Sequence, residues 1–90
     1  MHYITAVRLS GGEAEHHIVS VRWLNATTGQ SNTSPVASMV EWIEKGNTAY
    51  VGGLHGAAQV QVVRVAGRVP YLRSAANGEW TDNLLQLPRY

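Results

Sequence analysis

A chain of 90 residues with a formal net charge of +1 has room for one domain, and it lacks the basic excess that draws proteins to nucleic acid or to charged membrane surfaces. It is 44% hydrophobic but only 14% charged, well under the average of about a quarter, so much of its surface is neutral. Cysteine is absent, which excludes disulfides, thiolate metal sites and thiol catalysis together.

The N-terminal segment reaches Arg8 before any long apolar run, which predicts neither a signal peptide nor a membrane span and points to the cytoplasm. Tyr3 to Leu9 is rich in β-branched and aromatic residues and stops at Ser10-Gly11-Gly12, the pattern of a strand closed by a glycine turn. His16 to Leu24 reads as a second strand, with Val19, Val21 and Trp23 alternating against Ser20 and Arg22. Asn25 to Thr33 is polar and predicts a loop. Ser34-Pro35 then supplies an N-cap and a first helical residue, followed by Val36, Met39, Val40 and Ile43 on one stripe and Gly46 at the C-cap. The helix is expected from Pro35 to Lys45. Trp42 borders its stripe, where it broadens the core contact or anchors a partner.

Thr48 to Val51 predicts a short third strand ended by Gly52-Gly53. Ala58 to Val65 holds four valines and predicts a fourth strand, apolar on both faces and suited to the sheet centre. Val69 to Ser74 predicts a fifth, with Pro70 at its start. Beyond it, Asn77-Gly78 is a turn signal, Asp82-Asn83 a cap signal, and Leu84, Leu85 and Leu87 form a tail that gains from docking. The whole predicts a single α+β domain over residues 1–90: a mainly antiparallel sheet of about five strands, one helix packed on one face and a docked C-terminal tail.

The run Ile4-Thr5-Ala6-Val7-Arg8-Leu9-Ser10-Gly11-Gly12, then His17-Ile18 with Arg22-Trp23, then Met39-Val40-Glu41-Trp42-Ile43, and the ending Tyr71-Leu72-Arg73 with Asp82-Asn83-Leu84-Leu85-Gln86-Leu87-Pro88 together resemble one family. It is the family of small bacterial and phage proteins catalogued as domain of unknown function 3892. The resemblance spans nearly the whole chain in order, and Ser74 and Asn77 are its conservative departures. It implies a phage or bacterial setting and leaves the activity open.

Metal-binding residue types meet at Glu13, Glu15, His16 and His17, but neighbours on a strand face opposite ways, so neither a metal nor a cofactor is expected. No Gly-x-Ser-x-Gly elbow, phosphate loop or dinucleotide fingerprint occurs, and Asp82, the only aspartate, is read as a cap. No catalytic residue is assigned. The arginines carry the ligand argument: Arg8, Arg22, Arg64 and Arg73 fall in predicted strands, where alternation can line several on one face, and guanidinium forks fit phosphate or carboxylate oxygens. With aromatic rings to stack on a base, the expected ligand-binding set is Arg8, His17, Arg22, Trp23, Tyr50, His55, Arg73 and Trp80. Loops Gly11–Glu15 and Gly52–Gly56 would close over the ligand.

The expected function is non-catalytic capture of a small anionic, nucleotide-like ligand, such as sequestration of a nucleotide second messenger, by a homo-oligomer that binds neither nucleic acid nor membrane. The alternatives are a protein-interaction module without a small ligand and a small hydrolase of nucleotide-type substrates.

Overall fold

In the computed structural model, which describes residues 2–52, 57–76 and 78–90, seven strands and one helix are found among the described residues. The strands are β1 (His2–Leu9), β2 (Ile18–Asn25), β3 (Ser31–Pro35), β4 (Ala49–Val51), β5 (Ala58–Val63), β6 (Tyr71–Ala76) and β7 (Glu79–Thr81); the helix α1 is Val36–Glu44. Short 3-10 turns occupy Glu15–His17 and Asn83–Gln86. All strands join one sheet in the order β3-β2-β1-β4-β5-β6-β7. Every pairing is antiparallel except β1 with β4. The fold is thus α+β with one helix and a mixed sheet, two strands larger than predicted. The parallel pair follows from α1, which carries the chain from β3 across the sheet and returns it beside β1 in the same direction.

The two unpredicted strands lack an alternating apolar signal because both are sheet edges. β3 is Ser-Asn-Thr-Ser-Pro, almost entirely exposed, and is held by its ladder to β2 from Ser20↔Pro35 to Leu24↔Ser31. Pro35 therefore ends a strand instead of opening the helix. α1 starts one residue later, and Ser34 provides no cap: its Oγ accepts a hydrogen bond from Trp23 Nε1 at 3.0 Å. β7 is three residues long and closes on β6 through a hairpin in which Ala76 faces Glu79 and Gly78 has φ +79°. Asn77 lies outside the described residues.

Two irregularities reshape the first hairpin. The register passes from Ile4↔Trp23 to Ala6↔Arg22, leaving Thr5 extra, and from Arg8↔Ser20 to Leu9↔Ile18, leaving Val19 extra. Ile4 and Val7 both reach the core, three residues apart, because of the first bulge. Val19, predicted for the core face, is 45% exposed because of the second, and Ile18 takes its place.

The core joins α1 to one sheet face. Val36, Met39 and Val40 are buried as the stripe predicts, Ile43 packs beside them, and each such burial is worth about 1.5–3 kcal/mol. Across from them lie Ile4, Val21, Ala49, Val51, Val60 and Leu72. β5 is not the two-sided central strand predicted: Ala58 and Val60 are buried, Gln59 and Gln61 exposed, and the short β4 holds the middle of the sheet.

The tail docks as predicted. Leu84 is buried, and Leu85 and Leu87 pack on the core. Val7 N–H donates to the Pro88 carbonyl at 3.0 Å and Tyr90 N–H to the Val7 carbonyl at 3.3 Å, so the tail pairs in parallel with the edge of β1 that β4 has left. Arg89 locks it by donating to the Leu85 and Leu87 carbonyls at 2.9 and 2.8 Å. Asp82 sits at the start of its 3-10 turn without a side-chain cap; its Oδ1 accepts from Gln86 Nε2 at 3.0 Å. Among the described residues, no helix is long and apolar enough to cross a membrane.

Candidate functional site

Alternation gives each strand a side facing α1 and a side facing away. The side facing away can be followed through the register: Leu24 beside Tyr3, Tyr3 beside Tyr50, Tyr50 beside Gln59, Gln59 beside Ala75 and Ala75 beside Trp80. Arg73 lies two residues from Ala75, Arg22 two from Leu24, and Arg8 opposite Ser20, so all three share this side. Among the described strand residues, it carries three arginines and no carboxylate. Arg64 does not join them. It lies just past β5 and donates from Nε to Glu44 Oε2 of α1 at 2.8 Å, with a second bond from Nη2 to Oε1. That pairing holds the Glu44 carboxyl below its ordinary pKa and raises that of Arg64.

The most concentrated chemistry surrounds β6. The Arg73 guanidinium lies over the Trp80 indole, 5.2 Å from its centroid, and Trp80 is 49% exposed. Beside them a cavity of about 310 Å³ is lined by Gln59, Gln61, Ala75, Gly78 and Trp80. The turn Glu15–His17 packs on β6 from the far end of the first hairpin, setting Glu15 Oε2 3.9 Å from Arg73 Nε and the His16 ring 6.0 Å from that of Tyr71. At 3.9 Å this is an ion pair without a hydrogen bond, and Arg73 Nε is left buried with no acceptor. Glu15 also offsets part of the Arg73 charge.

The remaining predicted residues disperse. Tyr50 is on the same face, its ring 6.3 Å from that of Tyr3. Arg22 stacks on Tyr90, 4.9 Å from its centroid, while Tyr90 Oη hydrogen-bonds Ser20 Oγ; Arg8 is exposed nearby on β1. Trp23 faces the other way, toward α1, with His2 and Trp42. His17 is committed to its own loop: Nδ1 accepts from Ala14 N–H at 3.2 Å, and the ring covers Gly12 so closely that a Cβ there would lie 2.6 Å from Nε2. Nor do His16 and His17 point to opposite faces as a strand would require. They belong to a 3-10 turn and their rings are 4.0 Å apart. His55 and residues 53–56 of the second predicted loop lie outside the described residues, so closure by two loops is not described.

The order of these segments agrees with a family model. The model described as protein of unknown function (DUF3892) matches residues 3–88. The chain belongs to that family. No curated protein and no solved structure matches it. The DUF3892 match takes in both sides of the sheet and the docked tail up to Pro88, so the geometry around Arg73 and Trp80 lies inside the family's own span.

Sequence reasoning missed Gln59 and Gln61 in this DUF3892 chain, and it named Glu15 only among the metal-binding residue types and as the end of the Gly11–Glu15 loop, without its partner Arg73. The alternation Ala58-Gln59-Val60-Gln61 carried a signal for the first two, hidden by reading the valine-rich run as apolar on both faces. The pairing of Glu15 with Arg73 has no such signal, because it depends on how the hairpin end folds onto β6.

Proposed function

We propose that this DUF3892 chain is a non-catalytic binding protein that captures a small anionic, nucleotide-like ligand on the side of the sheet away from α1, centred on Arg73 and Trp80. The observation that supports the reading is the pairing of a half-exposed indole with a guanidinium whose Nε–H is buried and unsatisfied. Leaving such a donor unpaired costs about 1–3 kcal/mol, and the part of the Arg73 side chain that remains exposed can give a ligand oxygen a charge-assisted bond. A planar ring would stack on the exposed part of Trp80, while the Gln59 and Gln61 amides offer donors and acceptors to its edge. Glu15 acts against the anion and tunes its affinity downward. The proposal is capture, with the ligand released unchanged.

The test is thermal stabilisation by mononucleotides and cyclic dinucleotides, with recovery and mass analysis of the ligand. A ligand at ~100 times its Kd adds about 2.7 kcal/mol of stability. Arg73→Ala and Trp80→Ala should abolish the shift, and Glu15→Gln should enlarge it. No shift from any of them well above micromolar concentration would sink the proposal, and turnover lost in Asp82→Asn would replace capture with hydrolysis.

A second reading, an assembly or protein-interaction module, draws on a different place. Val69 is 80% exposed and Val65 44%, and a depression of about 260 Å³ between Val69 and α1 is lined by Ala37, Val40, Val69 and Pro70 beside the Glu44–Arg64 pair. Light scattering gives the mass in solution; a homo-oligomer that Val69→Lys reduces to monomer would favour this reading.

A further inference from the structure

A second cavity, of about 240 Å³, opens where α1 passes β2 and β3, lined by His2, Trp23, Ser34, Ser38, Met39 and Trp42. We infer that it is a binding site for a flat, uncharged heteroaromatic molecule of one or two rings. It shares no residue with the Arg73–Trp80 region and lies on the other side of the sheet, so it stands whether or not that proposal holds.

The walls determine the ligand class. Three rings meet there: His2 lies 5.6 Å from Trp23 at 59° and 4.8 Å from Trp42 at 69°, so the imidazole props two indoles around the space. Tilted and edge-on geometries are the favoured ones for aromatic pairs, and a flat guest offers the indoles the same contacts. Met39 adds a polarisable thioether, well suited to a ring edge.

Polar groups supply direction. Ser34 Oγ accepts from Trp23 Nε1 and keeps its own O–H to give. The Ser38 hydroxyl and the His2 imidazole have no hydrogen-bond partner among the described residues. A neutral imidazole offers one donor and one acceptor, so the site can read a ring bearing both. No Asp, Glu, Lys or Arg lines the cavity. A charged ligand would shed water there without compensation, which selects the neutral ring over its phosphorylated form.

Size sets the upper limit. The space exceeds the ~150 Å³ that holds benzene but falls short of the ~300–1,000 Å³ typical of drug-sized ligands, which leaves room for one or two fused rings. Quaternary ammonium ions also favour aromatic walls, but they cannot use the free hydroxyl and imidazole groups.

The experiment follows the indole N–H signals in two-dimensional nitrogen–proton spectra of the intact chain titrated with adenine, nicotinamide, adenosine 5′-monophosphate and tetramethylammonium. At least one neutral ring should shift the Trp23 and Trp42 signals saturably below about 1 mM while the Trp80 signal stays in place, and the phosphorylated form should bind these two at least about tenfold more weakly. Ser38 is exposed on a helix, so Ser38→Phe fills the space without burying new polar groups and should abolish the shifts; His2→Ala should weaken them. Arg73→Ala should leave them unchanged, which separates this site from the one proposed above. No saturable shift from either neutral ring, equal binding in Ser38→Phe, or a preference for tetramethylammonium would overturn the assignment.

Discussion

The two sides of the sheet are made from the same strands and differ in nearly every chemical respect. On β5, Ala58 and Val60 are buried against α1 while Gln59 and Gln61 face solvent; on β6, Leu72 and Ser74 are fully buried while Tyr71, Arg73 and Ala75 are only partly covered. Aliphatic side chains fill most of one side, with His2, Trp23 and Trp42 grouped where α1 passes β2, and arginines, tyrosines, Trp80 and amides populate the other. Because neighbouring residues serve opposite sides, stability and recognition are divided at single-residue resolution along one strand.

The largest effect should come from breaking that division on the buried side. Leu72 has no exposed surface, so Leu72→Ala removes apolar contacts and leaves a cavity, at a cost of about 2–5 kcal/mol. Against a total of about 5–15 kcal/mol for a typical domain, that is a substantial share, visible as a fall in the urea midpoint. Arg73→Ala, one residue on, should stay within about 1 kcal/mol of wild type while losing nucleotide-induced stabilisation. Similar losses of stability at both positions would dissolve the comparison.

The loop that delivers Glu15 to Arg73 offers the next test. The His17 ring occupies the space where a Gly12 side chain would go, so Gly12→Ala should destabilise the chain by about 1–3 kcal/mol through overpacking. In Gly12→Ala with His17→Ala the ring is gone, and a double-mutant cycle should show much of that cost returning. Additive losses would mean that the two residues do not share this space.

Ser74 should give a smaller change. Its hydroxyl is fully buried and contacts the Thr81 Oγ1 at 2.6 Å and the Thr81 carbonyl at 3.3 Å, tying β7 to β6. Ser74→Ala removes that tie, and the expected loss in chemical denaturation is about 1 kcal/mol. A gain in stability would show that the hydroxyl network costs more to bury than it returns.

What could be read from the sequence follows the same partition. Val36, Met39, Val40 and Ile43 announced the helix, and the leucines of residues 84–87 announced the docked tail, because burial writes a periodic apolar signal. β3 and β7 left no such signal, being short, exposed edges held by backbone pairing. Thr5 and Val19 carry no mark of the bulges that decide which side their neighbours face. Among candidate site residues, alternation allowed several of Arg8, Arg22, Arg64 and Arg73 to share one side without saying which; that Arg8, Arg22 and Arg73 do so rests on the register between strands and on the bulges of the first hairpin. The same alternation set Trp23 beside Val21 on the core face, where it lies, against its place in the expected ligand-binding set; it could not foresee that Arg64 would lie past the end of β5 or that Glu15 would reach Arg73, because each depends on contacts between distant segments.

The smallest effect is expected at Glu44 and Arg64, where both side chains are substantially exposed. Hydrogen bonding from Arg64, then its charge, lowers the folded-state pKa of Glu44. A carboxyl whose pKa is depressed on folding contributes stability above its unfolded pKa and loses that contribution as the pH falls through the folded value. The stability difference between wild type and Glu44→Gln should therefore be greatest near neutrality, shrink as acid titrates the carboxylate, and fade in high salt, because exposed charges are screened. Urea midpoints at neutral pH and at about pH 3, each at low and high salt, would measure it. A difference that grew on acidification, or that salt left untouched, would mean that Glu44 acts through packing against Arg64 and Val69 beside α1, and would move it to the buried side of the comparison.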